Sequence, residues 1–539
     1  MEGEIEELRL AISKAGSLPP FDVVQDLLLS IGVCVRCVFR LFGVQGDVYS
    51  SSLLTETTVY GIFGELHGNR SDSTPKILLT QDLTGDKEKK KVYCNICLGI
   101  LQFCFTNDGN DYNLDTSSKQ QTTCLDNLAE VVANTVKAEG YQFHDFSVEI
   151  SIPIITMANE RAFWIYLKNK YGSQDWFKEM FHIEQISIKD ALKLSVISSL
   201  QSHMNAKHCF GSSRIRLTYV HLDASSKLQN LLAKELASKK RKNDSSHDCS
   251  IEDSECVSDA SIRKVLDLLE DSDFSECFAL PRERESKPCH LTVVPCRMAT
   301  FIGGRYLKYS RRVSQSRWII DDERIGDASV EEIICNSVLQ KCRGDTYKFH
   351  SAGREDMDVR MLGSGRPFLV EISNAKILPS SAIVKDIANT INYSKDKFVF
   401  VKSLRVLGNE AWEMMREGES EKQKQYAAVL WISRPLTERD IEKLSKTKDL
   451  EISQKTPIRV LHRRSPLVRK RIIHWMKVEK IVENGQYFLL HLCTQAGTYI
   501  KEFAHGDLGR TYPCIGSLLE CRAEIIQLDV TDVIMEGFD

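Results

Sequence analysis

The sequence predicts an α+β protein built from several domains, and three observations support this prediction. The chain has 539 residues, which is too long for one ordinary core at roughly 100 to 200 residues per domain. Helical and strand patterns follow one another along most of the chain. Hydrophobic residues make up 42% and charged residues 27% of the sequence, as in ordinary globular proteins, and no apolar run reaches the ~18 to 20 residues of a membrane span. We therefore expect globular domains and no membrane partner.

The N-terminal segment, MEGEIEELRLAISKAGS, gives an expectation for the cellular compartment. It is acidic, and it lacks both the apolar core of a secretory signal and the Arg-rich character of a transit peptide. We expect an intracellular protein, in the nucleus, the cytoplasm or both. The 17 cysteines are then reduced, so that clusters of them indicate metal binding or catalysis. The net charge of −3 means that affinity for nucleic acid must come from local basic patches.

Two C-x-x-C pairs lie in residues 1–120, the first predicted segment. Cys34 and Cys37 form one pair, and Cys94 and Cys97 form the other. Two thiolates at this spacing can reach one ion from a tight turn, and two such pairs complete a tetrahedral site. A redox couple needs only one pair, and buried small hydrophobic cysteines are a further alternative. The spacing favours one structural zinc ion, although the gap between the pairs is longer than in a compact zinc ribbon.

Residues 121–238 alternate between helical and strand patterns. The apolar residues of segment 125–136 fall on one helical face, and a capping-box-like start predicts a helix over 188–203. Residues 146–152 and 214–221 alternate as strands. The pattern predicts an α/β module.

Residues 239–281 shift in composition and separate that module from the C-terminal segment, 282–539. A basic tetrad, KKRK, is followed by polar and acidic residues, which is typical of a flexible linker. The tetrad could be a nuclear localisation signal, although a solvated helix end is the common alternative.

Residues 351–368, SAGREDMDVRMLGSGRPF, carry the most informative pattern of the chain. Glycines on both sides permit tight turns around a run of alternating charges. These charges are Arg354, Glu355, Asp356, Asp358 and Arg360. The composition is typical of an active-site loop, and a solvated surface loop is the alternative.

Two other segments concentrate positive charge. Residues 301–318, FIGGRYLKYSRRVSQSRW, interleave Arg305 and further cations with aromatic residues, a mixture suited to phosphates and to unstacked bases of RNA. Residues 456–471, TPIRVLHRRSPLVRKR, contain six cations and no acid. The six are Arg459, Arg463, Arg464, Arg469, Lys470 and Arg471. We expect this segment to hold an RNA backbone, with a basic face balanced by acids elsewhere as the alternative.

The same segments resemble a known enzyme family. Gly353, Arg354, Asp356 and Val359 resemble the GR-x-D-x-x-V loop of TruA-type pseudouridine synthases. Gly497, Thr498, Tyr499 and Ile500 resemble the GTYIR-containing strand and helix of TruB-type synthases. With segments 304–318 and 456–471, they make the chain resemble the archaeal and eukaryotic tRNA pseudouridine synthases of the Pus-ten type, most densely from about residue 282 onward.

The resemblance implies a fold, an activity and partners. Residues 282–539 are expected to form a pseudouridine synthase fold, a mixed and mainly antiparallel sheet with flanking helices and thumb and forefinger loops. The N-terminal half is expected to be a zinc-containing, THUMP-like α/β accessory domain. The implied reaction turns uridine into pseudouridine in the T-arm of tRNA, at position 55 and with position 54 left open. We expect one structural zinc ion, no organic cofactor and a monomer.

The resemblance also assigns roles to individual residues. Asp356 is implied as the nucleophile or base, held and kept ionised by Arg354 and Lys501. Tyr426 is implied to stack on the uracil and to take part in proton transfer, with a core strand tyrosine as the alternative. Ile500 and Leu528 are implied to exclude water from the uridine pocket. The predicted RNA contacts are Arg305, Arg459, Arg463 and Arg464, and the predicted zinc ligands match the four cysteines Cys34, Cys37, Cys94 and Cys97.

Two other classes of function compete with this interpretation. A non-catalytic RNA-binding adaptor would keep the basic segments but lose the pocket residues, which are all present here. A thiouridine synthase or RNA methyltransferase would need a P-loop or a Gly-rich cofactor loop after a strand, and the sequence contains neither.

Overall fold

The computed structural model describes residues 2–14, 18–66, 92–107, 125–226, 228, 259–417, 423–462, 464–481 and 485–534. It divides into two compact units, Met1–Cys296 and Arg297–Asp539. Both units mix helices with sheets, so the predicted α+β class is confirmed. No helix within the described ranges is both long and apolar enough to cross a membrane.

The first unit packs helices on a small sheet. Its helices are α1 (Glu2–Lys14), α2 (Phe21–Asp26), α3 (Val35–Leu41), α4 (Glu56–Leu66), α5 (Leu125–Ala138), α6 (Ile155–Tyr171), α7 (Asp175–Glu179), α8 (Ile188–Met204), α9 (Asp259–Leu268) and α10 (Asp271–Cys277). Its strands are β1 (Phe105–Thr106), β2 (Asp145–Ser151), β3 (Lys207–His208), β4 (Ser213–Val220) and β5 (Cys289–Arg297), in the order β1-β5-β4-β2-β3. Strand β2 runs parallel to β3 and β4, an arrangement that needs crossover connections, and α6 and α8 lie in the connection that follows β2.

Local sequence explains several of these elements. Alternate residues of β2 are buried, as expected for a strand covered on one face. The side chain of Ser187 accepts a hydrogen bond from the backbone N–H of Asp190 at 3.1 Å and caps α8. Helices α9 and α10 fall inside the segment predicted as a flexible linker, because Ile262 and Phe274 give them buried apolar faces. The linker prediction is therefore too long at its C-terminal end, and residues 239–258 lie outside the described part.

Within its described residues, the second unit has fourteen strands, and ten of them form one sheet. Its strands are β6 (Thr300–Lys308), β7 (Val313–Ser314), β8 (Ile319–Ile320), β9 (Glu323–Arg324), β10 (Ala328–Ser329), β11 (Thr346–Ser351), β12 (Arg360–Ser373), β13 (Val399–Leu407), β14 (Lys424–Ile432), β15 (Lys448–Lys455), β16 (Val468–Lys480), β17 (Tyr487–Thr494), β18 (Thr511–Tyr512) and β19 (Ala523–Val533). Its helices are α11 (Val330–Cys342), α12 (Ser381–Asn392), α13 (Glu410–Glu417), α14 (Glu438–Lys446), α15 (Ile500–His505) and α16 (Ile515–Leu519).

The order of this sheet determines what lies at its centre. The strands run β13-β6-β12-β19-β14-β17-β16-β15-β18, with β11 paired to β12 outside this path. The paired strands are antiparallel except β12 and β19, which run parallel where Arg360 and Met361 face Asp529 and Val530. Residues 352–359 connect β11 to β12 and therefore enter the sheet beside this parallel pair. The segment with the most informative sequence pattern thus lies at the middle of the sheet.

Candidate active site

A cleft with a volume of about 790 Å³ opens in the second unit, beside residues 353–359. Residues from six separate segments line it. Among them are eight residues that the sequence predicted for the site: Arg354, Asp356, Tyr426, Arg459, Arg464, Ile500, Lys501 and Leu528. The fold therefore brings together side chains that are up to 174 positions apart in the chain.

Asp356 lies in this cleft between two cations. Its Oδ2 atom is 3.1 Å from Nη1 of Arg459 and 3.3 Å from Nζ of Lys501. The carboxylate is 38% exposed, so a ligand in the cleft can reach it. These two ion pairs hold the carboxylate at the cleft, and a carboxylate in this position can act as a nucleophile or base.

The structure corrects the predicted role of Arg354. Within the described residues, the ion pairs of Asp356 are made by Arg459 and Lys501, and none joins it to Arg354. Arg354 is an exposed residue of the cleft wall. The prediction placed the cation next to the acid in sequence, whereas the cations that pair with Asp356 come from other segments of the chain. Arg459, predicted only as an RNA contact, supplies the charge instead.

Asp358 shares Lys501 with Asp356. The Nζ atom of Lys501 donates to both carboxylate oxygens of Asp358, at 2.9 and 2.8 Å. Burial would raise the pKa of Asp358, but the hydrogen bonds from Lys501 lower it below the ordinary value. The Asp358 side chain is 63% exposed and does not line the cleft. It therefore orients Lys501 from outside.

A buried ion pair supports the loop next to Asp356. Nε of Arg366 donates to Glu355 at 2.8 Å, and both side chains are almost completely buried. Tyr306 donates its hydroxyl to the same carboxylate at 3.0 Å. Gln315 donates to Tyr306 and to the backbone carbonyl of Gly353. A fully bonded network of this kind holds the backbone on the N-terminal side of Asp356 in one conformation.

Gly353 is required where this network meets the loop. Its φ angle is +88°, a conformation that side chains disfavour. An added Cβ would lie 3.1 Å from Nη1 of Arg366 and 2.5 Å from Nζ of Lys424. The glycine therefore permits the turn and the close approach of both cations.

Lys308 holds the loop on its other side. Its buried ammonium donates to the backbone carbonyls of Val313, Asp356 and Met357, at 2.7, 3.2 and 2.9 Å. These acceptors use all three donors of the group. Burial lowers the pKa of Lys308 to about 8. Arg311 donates hydrogen bonds to the carbonyls of Asp358 and Leu528, at 2.8 and 2.9 Å. It thus connects the loop to strand β19.

The structure corrects the prediction for Arg305. This residue is 5% exposed and does not line the cleft. Its Nη1 atom donates to the backbone carbonyls of Gly365 and Val533, both at 3.1 Å. Nearly every residue of β6 is buried, because its neighbours cover the strand on both faces. Arg305 therefore links strands and lies outside the cleft.

The three predicted pocket residues form one wall of the cleft. Tyr426 lies on β14, where it pairs with Val530 on one side and Leu492 on the other. Burial raises the pKa of Tyr426 to about 12, so the phenol is protonated at neutral pH. Ile500 begins α15, and Leu528 lies on β19. Both are buried apolar residues of the cleft lining.

The basic segment 456–471 contributes further cations to the cleft lining. Arg464, Arg469 and Arg471 line the cleft, and no ion pair to a carboxylate is recorded for them within the described ranges. Arg463, a further predicted contact, lies outside the described residues. Gly497 has a φ angle of +76° and leaves room for the Arg471 guanidinium, since a Cβ added to Gly497 would lie 3.3 Å from Nη2 of Arg471.

Four cysteines form a separate cluster in the first unit. The Sγ atoms of Cys34, Cys37, Cys94 and Cys97 are buried and lie within 4.8 Å of one another. Backbone N–H groups of Cys34 and Ile96 point at Sγ of Cys94, at 3.2 and 3.4 Å. Four thiols around one point, with donors aimed at a sulfur, could hold a metal ion.

Several important residues escaped sequence analysis. Glu355 and Arg366 carry the buried pair, and Lys308 was assigned to RNA together with its neighbours. Glu502, which pairs with Arg459 at 2.7 Å, follows directly after Lys501. The available signal was an acidic residue beside the apolar residues Phe503 and Ala504, because a carboxylate that is buried with them needs a cationic partner.

Comparison with known proteins decides the family. The model described as "Pus10, C-terminal" matches residues 301–534, and "Eukaryotic Pus10, N-terminal" matches residues 117–296. A human protein named tRNA pseudouridine synthase Pus10 is 33% identical over 95% of this chain and 96% of its own length. The chain belongs to the Pus10 family. It is accordingly an enzyme, a pseudouridine synthase.

Other members of the Pus10 family cover different shares of the chain. A Drosophila melanogaster protein named putative tRNA pseudouridine synthase Pus10 is 28% identical over 95% of this chain and 97% of its own length. A Thermofilum pendens protein named tRNA pseudouridine synthase Pus10 is 37% identical over 43% of this chain and 52% of its own length. Among solved structures, a Cbf5-Nop10-Gar1 complex has a TM-score of 0.25 and 15% identity, over 43% of this chain and 50% of that one. That TM-score is too low to establish a fold.

Proposed function

We propose that the protein isomerises uridine to pseudouridine in the T-arm of tRNA, at position 55, with position 54 as a second target to be tested. The reaction breaks the bond between C1′ of the ribose and N1 of the uracil, and joins C1′ to C5 of the rotated base. The C5 proton is lost and N1 takes up a proton, so the product is an isomer of uridine, no net oxidation occurs, and an organic cofactor is not needed. The names of the Pus10 relatives support the substrate class.

One observation carries the proposal: Asp356 is open to the cleft and paired with Arg459 and Lys501. We assign Asp356 as the group that attacks the sugar or removes a proton from it. The two cations hold its carboxylate at the cleft. They also limit its rotation, so that the attacking oxygen meets the sugar in one geometry.

The pocket wall supports a role in holding the base. A uridine must leave its stack to react, at a cost of a few kcal/mol. In the proposal, the ring of Tyr426 stacks on the uracil and offsets part of this cost. Its phenol stays protonated at neutral pH and can donate during proton transfer. Ile500 and Leu528 exclude water while the base is detached.

The cations that segment 456–471 contributes to the cleft support RNA binding. Arg464, Arg469 and Arg471 carry charges that no described carboxylate neutralises. Phosphates of the nucleotides around the target are the natural counter-ions. These contacts position the substrate, whereas the shape of the T-arm selects it.

The first prediction concerns activity without a cofactor. Purified protein incubated with an unmodified tRNA transcript is expected to form pseudouridine with no added nucleotide or reductant. Carbodiimide-stop mapping would locate the product, and transcripts with cytidine at position 54 or 55 would separate the two targets. Formation of pseudouridine only outside the T-arm would contradict the proposed substrate. Binding without any product would instead favour the non-catalytic adaptor.

We also propose that the four cysteines hold one structural zinc ion. Tetrahedral zinc with Zn–S bonds of about 2.3 Å separates its sulfur ligands by about 3.8 Å. The Sγ atoms of Cys34 and Cys97 are 3.8 Å apart. Buried thiolates with backbone N–H donors suit zinc, which has no redox chemistry of its own.

The second prediction follows from this zinc site. Protein purified without added metal is expected to contain one zinc per chain by atomic absorption. Cys34→Ser and Cys94→Ser should each lose most of it and lower the melting temperature, because ion binding contributes to folding. Cys209→Ser is the matched control, since Cys209 is exposed and outside the cluster. A metal-free protein with the wild-type melting temperature would contradict the proposal.

The remaining expectations are proposals about context. We propose that the first unit acts as a THUMP-like accessory domain that helps to hold the tRNA. We also propose that the enzyme works as a monomer inside the cell, in the nucleus, the cytoplasm or both. Sedimentation with and without tRNA would test the oligomeric state.

A further inference from the structure

Arg459 is held by a second carboxylate behind the cleft. Its Nε atom donates to Oε1 of Glu502 at 2.7 Å, while its Nη1 atom is 3.1 Å from Oδ2 of Asp356. Glu502 is 1% exposed and does not line the cleft. One guanidinium thus joins a buried carboxylate to the carboxylate that faces the ligand.

The shape of the Arg459 side chain fixes the directions of the hydrogen bonds that it donates. The guanidinium is planar, with its donors in a fixed fork. When Nε is bonded to Glu502, the plane of the group is set, and the direction of Nη1 follows. Without Glu502, the long side chain could turn toward the phosphates that the cleft attracts.

The burial of Glu502 is costly, which indicates a purpose beyond packing. Its Oε2 atom is buried and has no hydrogen-bond partner within the described part of the chain. Burying a carboxylate costs free energy, and an oxygen that is left without a hydrogen bond adds to that cost. The negative charge is therefore explained better by what it does to Arg459 than by what it adds to the fold.

We propose that Glu502 is a positioning residue for the isomerisation, which acts through Arg459 to fix the carboxylate of Asp356. This inference rests on the proposed role of Asp356. Glu502 touches neither substrate nor reacting atoms. It sets the orientation of the cation that in turn sets the attacking oxygen.

The third prediction tests this link with Glu502→Gln in the full-length protein. Gln keeps the size of the side chain, but it replaces the charge-assisted hydrogen bond from Nε of Arg459 by a weaker bond to a neutral amide, so that the guanidinium is held less firmly. The kcat on unmodified tRNA should fall by roughly 10- to 100-fold, the loss typical of a disturbed supporting contact. The KM should stay within about twofold, because the cleft wall that binds RNA is unchanged. The melting temperature should change little, because the remaining partner, Arg459, is 39% exposed and keeps Asp356 as a counter-ion.

A double-mutant cycle separates positioning from a general structural role. In an Arg459→Lys background the fork is already lost, so Glu502→Gln should change kcat by less than about twofold. Additive losses in the double variant would overturn the inference. So would a fall in melting temperature that explains the lower activity, or an unchanged kcat in the single variant.

Two controls complete the experiment. Glu442→Gln removes the charge from an exposed glutamate of α14 that pairs with Lys446, and it should leave kcat unchanged. Asp356→Asn reports on the proposed function itself. If Asp356→Asn keeps its activity, the assignment of Asp356 fails. If Asp356→Asn is inactive while Glu502→Gln is normal, only the role of Glu502 fails.

Discussion

Asp356→Asn is expected to lower the rate of pseudouridine formation by about 10⁴-fold or more, as when an enzyme loses its attacking group. Asn has nearly the same shape but carries no charge, and its amide is a poor nucleophile and base. Arg459 and Lys501 keep their positive charges in the variant. Removal of a negative charge from a cleft that binds phosphates should leave tRNA affinity unchanged or slightly increase it.

Asp358→Asn is the matched control for this substitution. It removes the same charge two residues away, from a carboxylate that is outside the cleft and bonded to Lys501. Lys501 would remain close to Asp356, so we expect activity within about tenfold of the wild type. Rates should be measured in single-turnover assays with enzyme in excess. An inactive Asp358→Asn beside an active Asp356→Asn would exchange the two roles.

Arg366→Met is expected to destabilise the protein by about 3–5 kcal/mol, the usual cost when one partner of a buried ion pair is removed. Glu355 would lose the 2.8 Å bond from Arg366 and remain buried as an unbalanced charge. The backbone carbonyl of Ala352, which now accepts from Nη1 of Arg366 at 2.8 Å, would also lose its donor. At about 2–4 °C per kcal/mol, the melting temperature should fall by roughly 6–20 °C.

The double variant Glu355→Gln with Arg366→Met tests the cause of this loss. Gln can keep the hydrogen bond with Tyr306 and leaves no unpaired charge, so the double variant should be more stable than Arg366→Met alone. Scanning fluorimetry of the full-length chain at constant tRNA concentration is a suitable measurement. If the single and double variants melt together, the unbalanced charge is not the cause. A single variant that melts with the wild type would contradict the importance of the pair.

Local patterns were sufficient to predict some features of this protein. The two C-x-x-C pairs were recognisable because each pair lies within four residues, and the structure brings the two pairs together. Asp356 and Tyr426 were found through resemblance to known motifs, which specify residue types at fixed spacings. The α+β class followed from the periodicity of apolar residues, which reflects burial directly.

The functions of basic residues were harder to predict. Lys and Arg donate equally well to a phosphate oxygen and to a backbone carbonyl, so residue type alone does not separate the two partners. Arg305 and Lys308 bind carbonyls because β6 is an interior strand covered on both faces. The interior position of β6 depends on the order of strands in the sheet. It cannot be read from a segment in which cations alternate with aromatic residues.

Long-range pairing explains the other differences. Arg354 is the cation nearest to Asp356 in sequence, but the structure pairs Asp356 with Arg459, more than 100 positions away. Helices α9 and α10 were missed for a related reason. Their few apolar residues are spread through a polar segment, and only packing against the rest of the first unit gives those residues a buried face.

The most direct test of the central claim is a paired measurement on Asp356→Asn with one unmodified tRNA. Its single-turnover rate of pseudouridine formation and its dissociation constant should be determined side by side with those of the wild type. We predict that the rate is lost while the dissociation constant stays within about twofold. Pseudouridine formed at the wild-type rate would show that the carboxylate between Arg459 and Lys501 is not the reacting group.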